Sequence, residues 1–214
     1  MYPIISIVGR SDSGKTTLLE GLIADLKKRG YKVAVMKHSA EDVELDTINK
    51  DTWRFTQAGS EISAISSGHN LAVFKQLRHD FGPQELSQFI SCDFDLLLTE
   101  GFKQSSYPKI EIHRQEQGND LVSPPQQLLA VGTDEPLQVD VPQFSKDEVQ
   151  KIGDLIEKTA LARHDDIDLL VNDTCIPLDS SSKNLLTRTL VAMVSGLKGI
   201  RGIKSLRISL RRKT

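Results

Sequence analysis

The segment GRSDSGKTT, residues 9–17, decides the fold of this 214-residue chain. It matches the pattern G-x-x-x-x-G-K-[ST] of phosphate-binding loops, in the sequence context that makes such a match specific. The apolar, β-branched run at residues 4–8 before it predicts a buried strand. After it, apolar residues recur at helical spacing up to residue 29, and Gly30 marks the end of the helix. The sequence therefore predicts a strand, a phosphate-binding loop and a helix in succession.

The residue types in this loop suit the binding of a polyphosphate. Gly9 and Gly14 allow a tight turn and a close approach of the backbone to the ligand, because neither carries a Cβ atom. The backbone N–H groups of the loop and the positive end of the helix dipole attract the anion. Lys15 supplies a flexible positive charge for the β- and γ-phosphates, and the Thr16 hydroxyl is a natural Mg²⁺ ligand. The predicted nucleotide-binding residues of the loop are Gly9, Ser11, Asp12, Ser13, Gly14, Lys15, Thr16 and Thr17.

Composition argues against several classes of function. The net charge of −2 provides no whole-chain electrostatic basis for binding nucleic acid. No apolar run approaches the roughly 20 residues needed to span a bilayer, and we expect no signal peptide, because residues 1–3 lead directly into the first strand. Cys92 and Cys175 are isolated and lack metal-ligand spacing, so we expect buried thiols in a reducing compartment. These features predict a cytoplasmic protein without a membrane or nucleic-acid partner.

Predicted strands alternate with helices along residues 1–162, which favours a three-layer α/β fold with a mostly parallel sheet. In residues 109–114 apolar and polar side chains alternate, so we expect a strand with one face exposed to solvent. From about residue 165 the pattern changes to two short strands, a helix and a final alternating segment. We therefore predict a P-loop nucleotide-binding domain at 1–162 and a small ββαβ appendage at 165–214.

The end of the appendage is basic, with seven lysine or arginine residues and no acidic residue after position 197. These residues, among them Arg207, Arg211 and Arg212, form either an anion-binding face or a solvated strand and tail. We favour the solvated alternative, because runs of like charge are usually exposed surface.

A phosphate-binding loop needs an acidic residue at the end of a neighbouring apolar strand to hold Mg²⁺. Glu100 ends the apolar run at residues 96–99 and is preferred over Asp95, which precedes it. The N–H of the adjacent Gly101 is expected to approach the γ-phosphate. Asp51 has two open interpretations: it reaches Mg²⁺ or positions water, or it stabilises a helix N-terminus.

Polar residues at other predicted strand ends are further candidates. His38 fits a non-catalytic hydrogen-bonding role better than that of a general base, and Lys103 and Arg114 are candidate anion contacts beside Glu100. The sequence contains no Asn-Lys-x-Asp motif for reading guanine. Asp134 follows a predicted strand, where its carboxylate either accepts hydrogen bonds from guanine N1–H and N2–H₂ or initiates a turn.

Together these segments resemble the MobB family, the adapter proteins of molybdopterin-guanine dinucleotide biosynthesis. The resemblance covers about residues 1–162. The matching segments are residues 9–17, Lys37-His38, Asp46, residues 50–54, Ala58-Gly59, Asp95, residues 99–103, residues 108–111 and residues 133–136. Many families share the first segment, whereas residues 50–54, and residues 99–103 followed by Pro108-Lys109, are much more specific.

The resemblance implies a homodimeric, cytoplasmic protein that binds GTP and Mg²⁺ and hydrolyses GTP slowly at most. Its implied role is to assist the guanylyltransferase that joins GMP to molybdopterin, with molybdopterin as a further ligand. The candidate catalytic residues are Glu100 and Asp51, and the candidate metal ligands are Thr16 and Glu100.

The alternative function is that of a P-loop small-molecule kinase, which would transfer the γ-phosphoryl group to an acceptor. A kinase needs an acceptor pocket and an arginine-rich lid over the phosphates. The predicted loops offer Arg54, Arg78 and Arg114 but no compact lid of this kind. We therefore rank the kinase below the adapter.

Overall fold

The computed structural model describes residues 2–39, 43–77, 79–87, 89–90, 94–118, 120–145, 147–161, 167, 169–171, 174–176, 178–200, 202–203 and 206. Contacts between Cα atoms divide the backbone into two compact units, Tyr2–Leu161 and the residues that follow it. Whether these units are the two predicted domains stays a prediction. The predictions for Cys92, Arg78 and the basic residues Arg207, Arg211 and Arg212 lie outside the described residues, as does that for the side chain of Cys175.

The described residues of the larger unit form eight strands. They are β1 (Ile4–Gly9), β2 (Val33–Lys37), β3 (Ile62–Ser67), β4 (Asn70–Lys75), β5 (Leu96–Glu100), β6 (Lys109–Ile112), β7 (Leu128–Gly132) and β8 (Gln143–Phe144). Six of them make one sheet in the order β2-β5-β1-β6-β7-β8, and every neighbouring pair is parallel. The predicted mostly parallel α/β fold is confirmed. The carboxyl ends of β5, β1 and β6 meet at one edge, which is where such sheets bind ligands.

The described residues of the larger unit also form four α-helices, and the first and last of these pack against the sheet to build its core. The four helices are α1 (Lys15–Lys28), α2 (Asp51–Gln57), α3 (Pro83–Ser87) and α4 (Val149–Ile156), the last continuing as a π-helix over Glu157–Leu161. α1 and α4 bury their apolar faces against one side of the sheet, through Leu18, Leu19, Leu22, Leu26, Ile152 and Ile156. Arg29, directly after α1, pairs with Asp25, Asp154 and Glu157 and so fastens the two helices together. None of the helices in the described residues is long and apolar enough to cross a membrane.

Strand β6 corrects the expectation that one of its faces is exposed to solvent. All four of its residues are buried, because β6 lies between β1 and β7 and neighbouring loops reach its second face. The Lys109 ammonium donates to three oxygen atoms, those of the Ser105 and Tyr107 carbonyls and of the Gln127 side chain. The Glu111 carboxylate accepts two backbone N–H groups at 2.7 and 2.9 Å. Polar side chains satisfied in this way can be buried, so an alternating pattern does not by itself prove exposure.

Strands β3 and β4 form an antiparallel hairpin apart from the main sheet, with its turn at Gly68. Its side towards α2 is anchored by the Ser63 hydroxyl, which donates to the Thr52 carbonyl oxygen at 3.2 Å. Four large apolar side chains of the hairpin are 50–69% exposed, namely Ile62, Ile65, Leu71 and Val73. The hairpin therefore presents an unusually apolar surface to solvent.

The smaller unit begins with the two short strands predicted for the appendage. These are β9 (Leu169–Val171) and β10 (Thr174–Ile176), which pair antiparallel. The helix α5 (Ser180–Ser195) follows, and the Asp179 carboxylate caps it by accepting the Ser182 N–H at 2.7 Å. Most of the final predicted strand, residues 205–210, lies outside the described residues.

Candidate functional site

The loop after β1 has the backbone conformation expected of its glycines. Gly9 has a φ of 146°, and a Cβ atom there would lie 2.5 Å from the Ile112 carbonyl oxygen in β6. Gly14 has a φ of 100° and is the N-cap of α1. Because α1 begins at Lys15, the positive end of its dipole adjoins the loop, as an anion site requires.

The side chain of Lys15 bonds to the loop itself, where Nζ donates to the Arg10 carbonyl oxygen at 2.6 Å. Burial lowers the pKa of Lys15, and the nearby Glu100 carboxylate partly offsets this effect. Phosphate oxygens are stronger acceptors than a neutral carbonyl, because they carry negative charge. The ammonium is therefore positioned to exchange its carbonyl partner for a phosphate.

The Glu100 side chain contacts both Thr16, at the start of α1, and Lys37, at the end of the neighbouring strand β2. Its Oε2 accepts the Thr16 hydroxyl at 3.1 Å, and its Oε1 lies 3.2 Å from Lys37 Nζ. The Glu100 side chain is 12% exposed, whereas that of Lys37 is 67% exposed. The fold thus brings together the two predicted metal ligands, Thr16 and Glu100, although 84 positions separate them in sequence.

The donor set at this point fits Mg²⁺. Thr16 and Glu100 present a hydroxyl and a carboxylate oxygen, which are the ligands that Mg²⁺ prefers. Within the described ranges no group of three or more His, Cys, Asp or Glu side chains gathers. An ion bound here would take its remaining ligands from water and the nucleotide phosphates, as Mg²⁺ does in phosphate-binding sites.

The chain turns sharply after Glu100, with φ values of 94° at Gly101 and 53° at Phe102. A Cβ atom at Gly101 would lie 3.0 Å from the His38 carbonyl oxygen, so the turn needs a glycine. The Gly101 N–H donates to the Ile7 carbonyl oxygen at 3.1 Å. An approach of this N–H to the γ-phosphate would require this hydrogen bond to β1 to break, and it stays a prediction.

His38 lies beside this turn. Its backbone N–H donates to the Glu100 carbonyl oxygen at 2.9 Å, and its ring lies 4.7 Å from that of Phe102 between centroids. The Nε2 atom is 3.1 Å from Asp80 Oδ1. This is a hydrogen-bonding arrangement of the kind favoured from sequence, and it ties the segment after β4 to the end of β5.

Asp51 lies in the first turn of α2, with its side chain 84% exposed. Its Oδ1 is 3.8 Å from Arg54 Nη1 within the same helix. Of the two interpretations left open from sequence, this position matches stabilisation of the helix N-terminus. A catalytic role for Asp51 stays a prediction.

Two side chains of the segment after β6 donate hydrogen bonds to the backbone of the phosphate loop. Arg114 Nε donates to the Ser13 carbonyl oxygen at 2.8 Å, and Gln117 Nε2 donates to the Ser11 carbonyl oxygen at 2.6 Å. Sequence reasoning identified Arg114 as a candidate anion contact, but it missed the supporting role of both side chains. No local pattern signals this role, because it depends on β6 lying beside β1 in the sheet.

Asp134 follows β7 at the same edge of the sheet and is exposed. The turn that holds it is ordered by Thr133, whose hydroxyl donates to the Glu135 carbonyl oxygen at 3.0 Å. The Glu135 carboxylate accepts the Gln115 N–H at 3.3 Å and so links the loops after β7 and β6. Asp134 therefore lies on a loop joined to the segment that supports the phosphate loop.

Known proteins resemble this chain in sequence and in fold. A family model described as molybdopterin guanine dinucleotide synthesis protein B, MobB, matches residues 4–134. The molybdopterin-guanine dinucleotide biosynthesis adapter protein of Haemophilus influenzae is 38% identical over 159 residues, covering 72% of this chain and 88% of the relative. A putative adapter protein of the same description from Methanocaldococcus jannaschii is 26% identical and covers 97% of each chain.

Among solved structures, the crystal structure of Bacillus subtilis MobB matches with a TM-score of 0.61 and 26% identity. The match covers 76% of this chain and 100% of that one. The residues of the family match, 4–134, include every candidate site residue from Gly9 to Asp134.

Proposed function

The chain belongs to the MobB family, and on this basis we propose that it is a GTP-binding adapter whose loop at residues 9–17 holds GTP with Mg²⁺. Its adapter role in the biosynthesis of molybdopterin guanine dinucleotide follows from the family. In our proposal it acts in the cytoplasm, binds molybdopterin and assists the guanylyltransferase that attaches GMP to molybdopterin.

The observation that carries the proposal is the contact between Thr16 and Glu100. The hydroxyl at the start of α1 and the carboxylate at the end of β5 lie 3.1 Å apart, beside the ammonium of Lys15. A phosphate-binding loop, a flexible lysine and two oxygen ligands for Mg²⁺ are the parts that a P-loop nucleotide site needs.

Slow hydrolysis at most fits the surroundings of this site. Asp51, the candidate for positioning water, is exposed and paired with Arg54. Arg114 donates to the loop backbone, so it supports the loop rather than covering the phosphates. The same two observations add no support for the kinase alternative, because Arg114 bonds to the loop backbone and Arg54 lies beside Asp51. Its third candidate arginine, Arg78, lies outside the described residues.

Thermal stabilisation by nucleotides tests the proposal. We expect GTP with Mg²⁺, at about 100 times its Kd, to add about 2.7 kcal/mol to the free energy of unfolding. For a chain of this length the unfolding midpoint should rise by about 5–10 °C. ATP with Mg²⁺ should raise it far less. Equal shifts with ATP would contradict GTP selectivity, and no shift with any nucleotide would contradict nucleotide binding by the isolated protein.

An Asp134→Asn variant tests whether Asp134 recognises the guanine base. The carboxylate can accept from both N1–H and N2–H₂ of guanine, whereas an amide replaces one acceptor oxygen by a donor. We expect the variant to bind GTP about tenfold more weakly or worse and to gain affinity for xanthosine triphosphate. An unchanged preference for GTP would exclude Asp134 as the reader without affecting the phosphate site.

The apolar hairpin supports a homodimer, with a second copy of this chain covering β3 and β4. A lone two-stranded hairpin is at best marginally stable in water, and this one exposes Leu71 and Val73 by 69% and 51%. We expect the wild-type protein to have the mass of two chains by light scattering, and Leu71→Asp to have that of one. Asn70→Asp, at the hairpin turn, is the matched control. A wild-type protein that is monomeric at high concentration would contradict the dimer.

A further inference from the structure

Lys37 and Glu100 are paired by the register of the sheet. Lys37 is the last residue of β2 and lies directly opposite Glu100, the last residue of β5. Since the strands are parallel, both side chains belong to the edge of the sheet where the phosphate loop begins. The ammonium lies 3.2 Å from Glu100 Oε1. The lysine is therefore placed at the nucleotide site without being part of the phosphate-loop motif.

Both oxygen atoms of the Glu100 carboxylate are in use in this arrangement. Lys37 contacts Oε1, and the Thr16 hydroxyl donates to Oε2 at 3.1 Å. A divalent cation that binds Thr16 and Glu100 would repel the adjacent ammonium, because the two carry charges of the same sign. Metal binding would therefore weaken the hold of Glu100 on the lysine.

Two further lysines lie close enough to Lys15 to affect its charge. Burial is the largest cause that lowers the pKa of Lys15, but the charges of Lys103 and Lys37 lower it further. Glu100 and Asp12 act in the opposite direction. Three lysines close enough to influence one another suit a ligand with several negative charges, such as a polyphosphate.

We propose that Lys37 is a second phosphate-binding lysine, which leaves Glu100 and moves to the terminal phosphate when GTP binds. The inference rests on the proposed function, because it requires that the loop bind GTP. It also gives a physical reason for the site to bind GTP more tightly than GDP. A side chain that contacts the terminal phosphate strengthens the binding of the triphosphate and leaves that of the diphosphate nearly unchanged.

The exposure of Lys37 favours this movement. Its side chain is 67% exposed and unbranched, so the ammonium can leave Glu100 without displacing packed side chains. Glu100, with 12% of its side chain exposed, is the fixed partner of the pair. The pair therefore joins an exposed ammonium to a largely buried carboxylate.

Calorimetric titration of the full chain with Mg²⁺ tests the inference, using a non-hydrolysable GTP analogue and GDP as ligands. In Lys37→Ala we expect the affinity for the analogue to fall about tenfold or more, and that for GDP to change less than twofold. Lys37→Arg should recover most of the preference for the triphosphate, because it restores the positive charge. The matched control is Lys28→Ala, an exposed lysine at the far end of α1.

The outcomes separate this inference from the function on which it rests. If the wild type binds both ligands and Lys37→Ala loses the same factor of affinity for the analogue and for GDP, the role of Lys37 is overturned. The proposal that the chain binds GTP would then still stand. An unchanged affinity for the analogue would overturn it as well. A wild type that binds neither ligand would overturn the proposed function and, with it, this inference.

Discussion

Replacing Lys15 with alanine is expected to weaken the binding of GTP and Mg²⁺ about hundredfold or more. The ammonium can form more than one charge-assisted hydrogen bond to phosphate oxygens, and each such bond contributes about 1.5–3 kcal/mol. At a GTP concentration about 100 times the wild-type Kd, the stabilisation should fall from about 2.7 to about 0.4 kcal/mol. The midpoint shift measured by thermal unfolding should shrink to about 1–2 °C.

The same variant should lose little stability without a ligand. Lys15 donates to the Arg10 carbonyl oxygen, and burial lowers the pKa of the lysine, so its charge adds little to the stability of the fold. An unliganded midpoint close to that of the wild type would therefore separate a binding defect from misfolding. Lys28→Ala, on the last turn of the same helix, should keep the full rise of the unfolding midpoint that GTP produces. A Lys15→Ala protein that keeps it too would contradict the assignment of residues 9–17 as the nucleotide site.

Glu100→Gln is expected to remove most of the benefit of Mg²⁺ for GTP binding. Glutamine keeps the size of the side chain and an oxygen that can accept the Thr16 hydroxyl, but it lacks the charge that attracts the cation. The Mg²⁺ concentration that produces half of the maximal stabilisation by GTP should rise about tenfold or more. Titration of Mg²⁺ at constant GTP, followed by thermal unfolding, measures this change.

Without Mg²⁺, we expect Glu100→Gln not to weaken the binding of GTP. Removing a negative charge beside the phosphates should leave the metal-free affinity unchanged or raise it. Glu20→Gln, an exposed carboxylate on α1, is the control for a general change in charge. If the Mg²⁺ midpoint stays the same in Glu100→Gln while GTP still binds, Glu100 is not a metal ligand.

Prediction from sequence succeeded for the elements whose conformation depends on residues adjacent in sequence. The strand, loop and helix around Gly9, Gly14 and Lys15 follow from apolar spacing and from glycines at positions of positive φ. The same local patterns located the strand that ends in Glu100. Local chemistry was sufficient because the conformational preferences of a few adjacent residues determine these elements.

Prediction was incomplete where a residue's role depends on strand order. The alternation of Lys109 and Glu111 suggested a strand with one face in solvent, yet β6 is buried on both faces between β1 and β7. The hydrogen bond from the Gly101 N–H to β1 was likewise not predicted from sequence. In both cases the neighbouring strand is distant in sequence.

The sequence by itself determined that this chain has a phosphate-binding loop, an α/β sheet and the motifs of the MobB family. The tertiary structure alone decided which side chains meet at that loop. It placed Glu100 between Thr16 and Lys37, and it set Arg114 against the Ser13 carbonyl, through the strand order β2-β5-β1-β6. The physical reason is that backbone conformation follows local preferences, whereas contacts between strand ends follow from the packing of the whole sheet.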